Sequence, residues 1–224
     1  PKFPLDRVDF GAVIPWKLKV LDRAYIRFQQ SAKNPLLSAY ETFKTAQSGW
    51  LEDFSLFMAL KEANNGAPWP TWEIKLRDRD EMALAKAREQ LASAIDSQIF
   101  RQFIFFQQWQ ALREYAHQKG IQIVGDAPIF VAHDSADVWA NPGLFFLNKK
   151  GQPKTVAGVP PDYFSPTGQL WGNPLYNWKN HKAIGYRWWI NRIRALLGLV
   201  DIIRLDHFRG FAGFVAAWIG QFVH

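Results

Sequence analysis

Arg204 and Asp206 stand two residues apart at the end of an apolar, β-branched stretch that begins at Val200. The stretch predicts a short buried strand, on which side chains two residues apart lie on the same face. We expect the Arg204 guanidinium to hold the Asp206 carboxyl in its ionised form. Catalytic groups of α/β barrels lie at the carboxyl ends of strands, where an ionised carboxylate can attack the anomeric carbon of a sugar. A structural ion pair at a strand end has the same spacing, so this alternative stays open.

A second carboxylate, Asp126, ends another short β-branched stretch that begins at Ile121. Gly120 precedes this stretch and is typical of the residue that follows the end of a helix. Helix, glycine and strand in this order indicate an α/β connection. The order of elements therefore predicts an α/β fold.

A long segment, 127–180, separates Asp126 from the next convincing helix, with only a short helix possible at 135–140. Loops of this length are uncommon in compact domains and usually functional, and in an α/β barrel the loop after a strand lies on the active-site face. A disordered linker is the alternative, but disordered segments are poor in aromatic residues. The candidate substrate contacts are aromatic platforms (Tyr163, Phe164, Trp171) and polar side chains that can reach sugar hydroxyls (Asp162, Gln169, Asn173).

The rest of the chain is mostly helical in pattern. Apolar residues recur at helical spacing over about 16–32, 50–64, 80–119 and 181–197, and a further helix is predicted to begin at Phe211. A break divides the stretch 80–119 into two helices. Proline is tolerated near a helix start, as at Pro15, and Asn64-Asn65-Gly66 is a strong stop signal. The order helix, strand, long loop, helix, strand, helix suits an incomplete (β/α) barrel.

Composition excludes several classes of protein. The formal charge is +7 and the sequence pI about 9.6, but the basic residues are scattered and no nucleic-acid-binding motif is present, so we expect no nucleic-acid partner. The chain has no Cys, which excludes disulfides and thiolate metal sites. No apolar run is long enough for a membrane span, no signal peptide opens the chain and no calcium-loop spacing occurs. We therefore expect a cytoplasmic protein without a metal or cofactor; no oligomeric state is favoured.

Four motifs together resemble one family. They are 125–131 (Gly-Asp-Ala-Pro-Ile-Phe-Val), 134–140 (Asp-Ser-Ala-Asp-Val-Trp-Ala), the loop from Gly158 to Pro174, and 204–210 (Arg-Leu-Asp-His-Phe-Arg-Gly). The chain closely resembles the 4-α-glucanotransferases, also called amylomaltases or disproportionating enzymes, which form glycoside hydrolase family 77 of the α-amylase clan. The resemblance implies part of a (β/α)8 TIM barrel with an inserted helical subdomain. On this reading, residues 16–119 are the mostly helical inserted region, and 120–224 hold barrel strands with the active-site loop 127–180.

The resemblance also implies an activity and residue roles. The family transfers α-1,4-glucan segments to the 4-hydroxyl of an acceptor sugar through a covalent glycosyl-enzyme. By matching motif, Asp206 would be the nucleophile, Arg204 the arginine that orients it, and Asp126 a sugar contact in the cleavage site. Tyr163, Phe164, Gln169 and Trp171 match a loop that covers the glucan and keeps out water; such lids are a recognised device. His207, next to the nucleophile, is a further candidate substrate contact, together with Asp162 and Asn173.

One expected group has no counterpart in the sequence. Retaining chemistry needs two carboxyl groups about 5–5.5 Å apart, a nucleophile and a general acid/base. The family's acid/base is a Glu on the next barrel strand, and a later His-Asp pair also binds sugar; this chain stops before both. Its seven Glu residues all precede the predicted barrel strands (41, 52, 62, 73, 81, 89, 114). Since the chain also opens without Met, we expect a fragment of a longer protein that is inactive and poorly folded alone.

Two alternatives to a transferase stay open at this point. An α-glucan hydrolase of the same clan would share the motifs but pass the sugar to water. A non-catalytic glucan-binding protein would keep the aromatic residues without turnover.

Overall fold

The computed structural model describes residues 3–31, 34–161, 163, 165–211 and 215–218. The helices are α1 (Phe10–Gln30), α2 (Leu37–Ala63), α3 (Ile74–Arg77), α4 (Glu81–Gln90), α5 (Ala92–Gln118), α6 (Ala136–Ala140), α7 (Trp178–Ala183) and α8 (Arg187–Leu197). The strands are β1 (Val124–Ala127), β2 (Thr155–Val159), β3 (Gln169–Pro174), β4 (Ile202–Leu205) and β5 (Val215–Trp218). The chain thus has a mixed α/β fold, with its first half helical.

The first two helices begin earlier than the sequence pattern predicts. Helix α1 begins at Phe10 rather than near Trp16, because the Asp9 carboxylate accepts a hydrogen bond from the Ala12 N–H and caps it; Pro15 therefore lies inside the helix. Helix α2 begins at Leu37 rather than Trp50. Its additional turns bring Tyr40 against Phe103 of α5. Tertiary packing therefore extends the helix beyond the apolar residues at helical spacing that predicted it.

The predicted helix breaks in this half are confirmed. Helix α2 ends at the predicted stop, where Asn65 and Gly66 adopt positive φ. The stretch 80–119 is divided at Leu91, between α4 and α5. Gly120 has φ +69°, as expected for the residue that ends α5.

Strands β1 and β4 pair in parallel, with Asp126 opposite Arg204. Helix α8 precedes β4 and packs on both strands, which is the expected α/β arrangement. The prediction that the strand after Val200 is buried is wrong for the face that carries Arg204, on which Ile202 is 46% exposed; Val124, its partner on β1, is 61% exposed. The reason is that, within the described residues, this parallel sheet has two strands only and most of its surface is uncovered. A closed barrel is not formed by this part of the chain.

The long loop is more regular than predicted. The short helix at 135–140 is confirmed as α6, but the segment also holds β2 and β3, which pair antiparallel as a hairpin. The helix predicted from Phe211 is wrong over 215–218, because β5 pairs antiparallel with β2 there. Val215 and Trp218 are residue types that favour strands, and the pairing with the edge of β2 overrides the helical spacing. Phe214 lies outside the described residues.

The helix predicted over 181–197 is two helices. Gly185 and Tyr186 have φ of +61° and +55°, and this left-handed turn separates α7 from α8. Positive φ ends a right-handed helix, and Gly185 adopts it at no steric cost.

Among the residues that the structure describes, the hydrophobic core has two clusters. The smaller joins α1, α2 and α5 through Tyr25, Tyr40, Phe100 and Phe103. The larger lies beneath the β1 loop and the hairpin; its most enclosed large side chains are Leu56, Leu60, Trp69, Trp139, Leu175 and Tyr176. None of the helices described is both long and apolar enough to cross a bilayer.

Candidate active site

Arg204 links the ends of the two parallel strands. Its Nε donates to Asp126 Oδ1 (2.5 Å) and its Nη2 to Asp126 Oδ2 (2.6 Å), while Nη2 lies 3.9 Å from Asp206 Oδ1. The expected Arg204–Asp206 pairing is therefore secondary, and Asp126 is the hydrogen-bonded partner. The register explains this: Asp126 lies directly opposite Arg204, whereas Asp206 follows the end of β4. The hydrogen bonds to Asp126 raise the pKa of Arg204, which keeps the guanidinium charged.

The Asp206 backbone is attached to the neighbouring strand. Its N–H donates to the carbonyl of Ala127, the last residue of β1 (3.2 Å). His207 then adopts a left-handed conformation (φ +46°), and the Gly210 N–H donates to its carbonyl (2.8 Å). A Cβ on Gly210 would lie 3.0 Å from Ile129 Cγ1, so the turn packs closely on the loop after β1. The Asp206 side chain remains exposed, so its carboxylate is open to an incoming substrate.

Strand β3 brings part of the long loop to this turn. The Trp171 and His207 rings meet edge to face at 5.1 Å, and the Trp171 Nε1–H donates to Gln169 Oε1 (3.0 Å). Trp171 also contacts Phe130 (6.3 Å between centroids), a residue that the sequence analysis did not single out. The structure thus joins three candidate substrate contacts, Gln169, Trp171 and His207, in one series of contacts that ends at the residue after Asp206.

The other candidate substrate contacts are Asn173, Tyr163, Asp162 and Phe164. The Asn173 amide donates to the Val131 carbonyl (2.9 Å), so at least one of its hydrogens holds the β1 loop. Tyr163 is almost fully exposed. Asp162 and Phe164 lie outside the described residues. Sugar contact by these four side chains stays a prediction.

Comparison with known proteins decides the family. The family model described as 4-alpha-glucanotransferase matches residues 2–219 of this chain. The chain belongs to the 4-alpha-glucanotransferase family.

Individual relatives agree with this assignment. The 4-alpha-glucanotransferase of Thermus thermophilus is 48% identical over 96% of this chain and 43% of its own length. The chloroplastic/amyloplastic enzyme of that name from Solanum tuberosum is 44% identical over 95% of the chain and 37% of its own length. The structure of the amylomaltase from Streptococcus agalactiae in complex with acarbose is 39% identical, with a TM-score of 0.88 over 94% of this chain and 42% of that one. The chain spans less than half the length of these relatives.

The glutamates of this chain lie in its helical half. They are on α2 (Glu41, Glu52, Glu62), just before α3 (Glu73), on α4 (Glu81, Glu89) and on α5 (Glu114). Over the described residues, the site thus combines Asp126, Asp206 and Arg204 without a neighbouring glutamate from these helices. The same described residues hold no group of three or more His, Cys, Asp or Glu side chains that could bind a metal ion.

Two residues beneath the site were missed by the sequence analysis. Tyr176 and Arg192 donate hydrogen bonds to backbone carbonyls just after β1. A signal was present for Arg192, because it follows Trp188 by four residues and so shares a helix face with an aromatic side chain. No local pattern marked Tyr176, whose partner lies 47 residues away.

Proposed function

We propose that the protein containing this chain transfers α-1,4-glucan segments from a donor to the 4-hydroxyl of an acceptor glucan or glucose. The single observation that carries the proposal is the placement, in a chain of this family, of Asp206 beside Arg204 and Asp126 at the carboxyl ends of two parallel strands. Such strand ends are where α/β barrels hold catalytic groups. We further propose that β1 and β4 are strands of an incomplete (β/α)8 barrel, with residues 16–119 as an inserted helical region.

The proposed mechanism is a double displacement. The Asp206 carboxylate attacks the anomeric carbon of the donor, the glycosidic C–O bond breaks, and the leaving oxygen takes a proton from a general acid. The acceptor 4-hydroxyl then gives its proton to the same group, now a base, and its oxygen displaces Asp206 from the anomeric carbon. Two inversions retain the α configuration. We expect the acid/base to be a Glu supplied from outside residues 1–224.

The remaining side chains have proposed supporting roles. Arg204 influences the position of Asp206 through its positive charge, 3.9 Å from the Asp206 carboxylate. Asp126 contacts sugar in the cleavage site. Trp171, Tyr163 and Phe164 stack on sugar faces, while Asp162, Gln169, Asn173 and His207 bond sugar hydroxyls. Together they cover the glycosyl-enzyme against water. A cytoplasmic location stays a prediction; three plant relatives carry names that place them in plastids.

Maltotriose tests the proposal in the full-length protein. Transfer yields glucose together with chains longer than maltotriose, whereas hydrolysis yields only shorter chains. Asp206→Asn should lower kcat by several orders of magnitude, because the nucleophile is lost. The control is Asp78→Asn, since Asp78 pairs with Arg77 on the surface and should not affect turnover.

Each result that contradicts the proposal points to a different function or a different nucleophile. Exclusively shorter products would indicate a hydrolase. Turnover that survives Asp206→Asn would remove Asp206 as the nucleophile. Binding of acarbose, the ligand named for the Streptococcus agalactiae amylomaltase, without turnover by the wild type would indicate a glucan-binding protein.

A further inference from the structure

Three successive backbone carbonyls after Asp126 are all hydrogen-bonded. The Ala127 carbonyl accepts from the Asp206 N–H (3.2 Å), and the Pro128 carbonyl accepts from Arg192 Nη2 (2.6 Å). The Ile129 carbonyl accepts from the Tyr176 hydroxyl (2.7 Å) and, at 3.4 Å, from Arg192 Nη1. Segment 127–129 is therefore held between the backbone of the proposed nucleophile, the buried Tyr176 side chain and the partly buried Arg192 side chain.

Both donors are themselves fixed by packing. The Arg192 guanidinium lies over the rings of Trp188 and Trp189, 5.5 and 5.0 Å from their centroids, and its Nη1 is 3.3 Å from the Tyr176 hydroxyl. Tyr176 is 1% exposed and stacks on Phe130 at 5.9 Å. Because these side chains lose little freedom when they bond the carbonyls, they are suited to holding a loop in one position.

Side chains couple the same segment to the turn after β4. Ile129 is buried, and its Cγ1 would lie 3.0 Å from a Cβ on Gly210. His207 Cδ2 would lie 3.2 Å from that Cβ, so Ile129, Gly210 and His207 occupy one close-packed volume. A shift of segment 127–129 would therefore reach Asp206 through its backbone hydrogen bond and through the turn that follows it.

We propose that Arg192 and Tyr176 are positioning residues for glucan transfer. They fix segment 127–129 and, through it, the places of Asp126 and Asp206. Neither side chain needs to touch the sugar. The inference rests on the proposed function, because it concerns the rate at which Asp206 attacks. A misplacement of about 1 Å in a reacting group costs roughly 100-fold in rate, so small loop shifts are sufficient.

The test uses conservative variants of the full-length protein. Tyr176→Phe keeps the stacked ring and removes the hydroxyl, and Arg192→Lys keeps the charge but cannot bond several acceptors as a planar fork. We expect kcat for maltotriose transfer to fall about 10- to 100-fold in Arg192→Lys. A smaller fall in kcat is expected in Tyr176→Phe. In both variants KM should change less than about threefold, because neither side chain is expected to contact the bound sugar. The double variant should lose less than the product of the two single losses, because both act on one segment.

Hydrogen exchange gives a readout independent of turnover. The peptide that contains Asp206 should exchange faster in both variants, because the Asp206 N–H bonds to the segment that they release. Arg194→Lys and Tyr115→Phe are matched controls: Arg194 bonds Asn191 on the same helix, and Tyr115 is exposed on α5. Both controls should retain wild-type kcat and exchange.

The outcomes separate this inference from the proposed function. An active wild type whose kcat and Asp206 exchange are unchanged in both variants would overturn the inference. A wild type that transfers nothing, with faster Asp206 exchange in both variants, would overturn the function while supporting the structural role of the pair. If Arg192→Lys does not fold, Tyr176→Phe alone decides, since its ring still fills the core.

Discussion

Arg204 is shared unequally between two carboxylates. It donates two parallel hydrogen bonds to Asp126, but it is 3.9 Å from the nearest oxygen of Asp206. The two hydrogen bonds to Asp126 fix the plane of the Arg204 guanidinium. Asp206 lies near the positive charge of this group but beyond hydrogen-bond distance. As the proposed nucleophile, Asp206 is exposed and not tightly bonded, so its carboxylate can still move onto a sugar carbon. Arg204 therefore acts in two ways, by holding Asp126 and by placing positive charge beside Asp206.

Arg204→Lys tests this double role. We expect kcat for maltotriose transfer in the full-length protein to fall by more than about 10-fold, because an ammonium group keeps the charge but cannot form both bonds to Asp126. Arg77→Lys is the matched control, since Arg77 forms a similar two-bond pair with Asp78 on the surface. Steady-state kinetics on both variants provide the measurement. Equal activity of Arg204→Lys and wild type would show that charge alone matters.

At the scale of elements, Asp201 ties the start of β4 to α5 and to the approach to β1. Its carboxylate accepts from the Ile123 N–H (2.9 Å), from Arg113 Nη2 (2.5 Å) and Nε (3.0 Å), and pairs with His117 Nε2 (2.9 Å). These bonds lie at the end of the strands opposite to Asp126 and Arg204. They help to set the register that brings those two residues together.

The Asp201 cluster predicts an acid-sensitive stability. The Ile123 N–H, then His117 and Arg113, lower the pKa of Asp201 below its usual range. A lowered folded-state pKa stabilises the protein above the unfolded-state value of about 3.9, and this stabilisation is lost as the pH falls below it. Asp201→Asn should thus unfold at a lower urea concentration than wild type at pH 5, and this difference should narrow only as the pH falls from about 4 toward the lowered pKa of Asp201. Asp6→Asn, at an exposed carboxylate, is the control; a gap that does not change with pH would contradict the prediction.

At the scale of the whole molecule, the site rests on the larger hydrophobic cluster. The β1 loop contributes Ile129 and Phe130 to it, the segment after the hairpin contributes Tyr176, and α8 contributes Trp189. One packed core therefore supports the strand ends and the aromatic loop together. The two-stranded sheet is less covered, since Val124 and Ile202 are exposed on the face that carries Asp126 and Arg204, and Leu205 is exposed on the opposite face.

The 224-residue polypeptide expressed by itself should not transfer glucan. The physical reason is that its glutamates lie on or beside helices α2 to α5, so none follows β1 or β4 to serve the proposed nucleophile Asp206 as acid/base. The exposed apolar strand residues should also make its thermal unfolding poorly cooperative. Calorimetry and maltotriose product analysis, with the full-length protein as the positive control, check both points. A sharp melting transition together with longer products would show the expectation to be mistaken.

Local sequence determined the positions of most elements and the identity of the chemical groups. Gly120 marked the end of α5, Asn65 and Gly66 the end of α2, and the β-branched runs before Asp126 and Arg204 marked two strands. These signals are short-range, because capping, positive φ and side-chain alternation depend on neighbours in the chain. The same motifs carried the resemblance that the family comparison confirmed.

Only the tertiary structure decided which groups meet. The pairing of β1 with β4 makes Asp126, rather than Asp206, the hydrogen-bonded partner of Arg204. The hairpin places Trp171 beside His207. The hydrogen bond from Tyr176 to Ile129 spans 47 residues. Strand register and long-range contacts depend on how separate elements pack, which no local pattern records. The sequence therefore determined which side chains could perform the chemistry, and the packing determined which of them are neighbours.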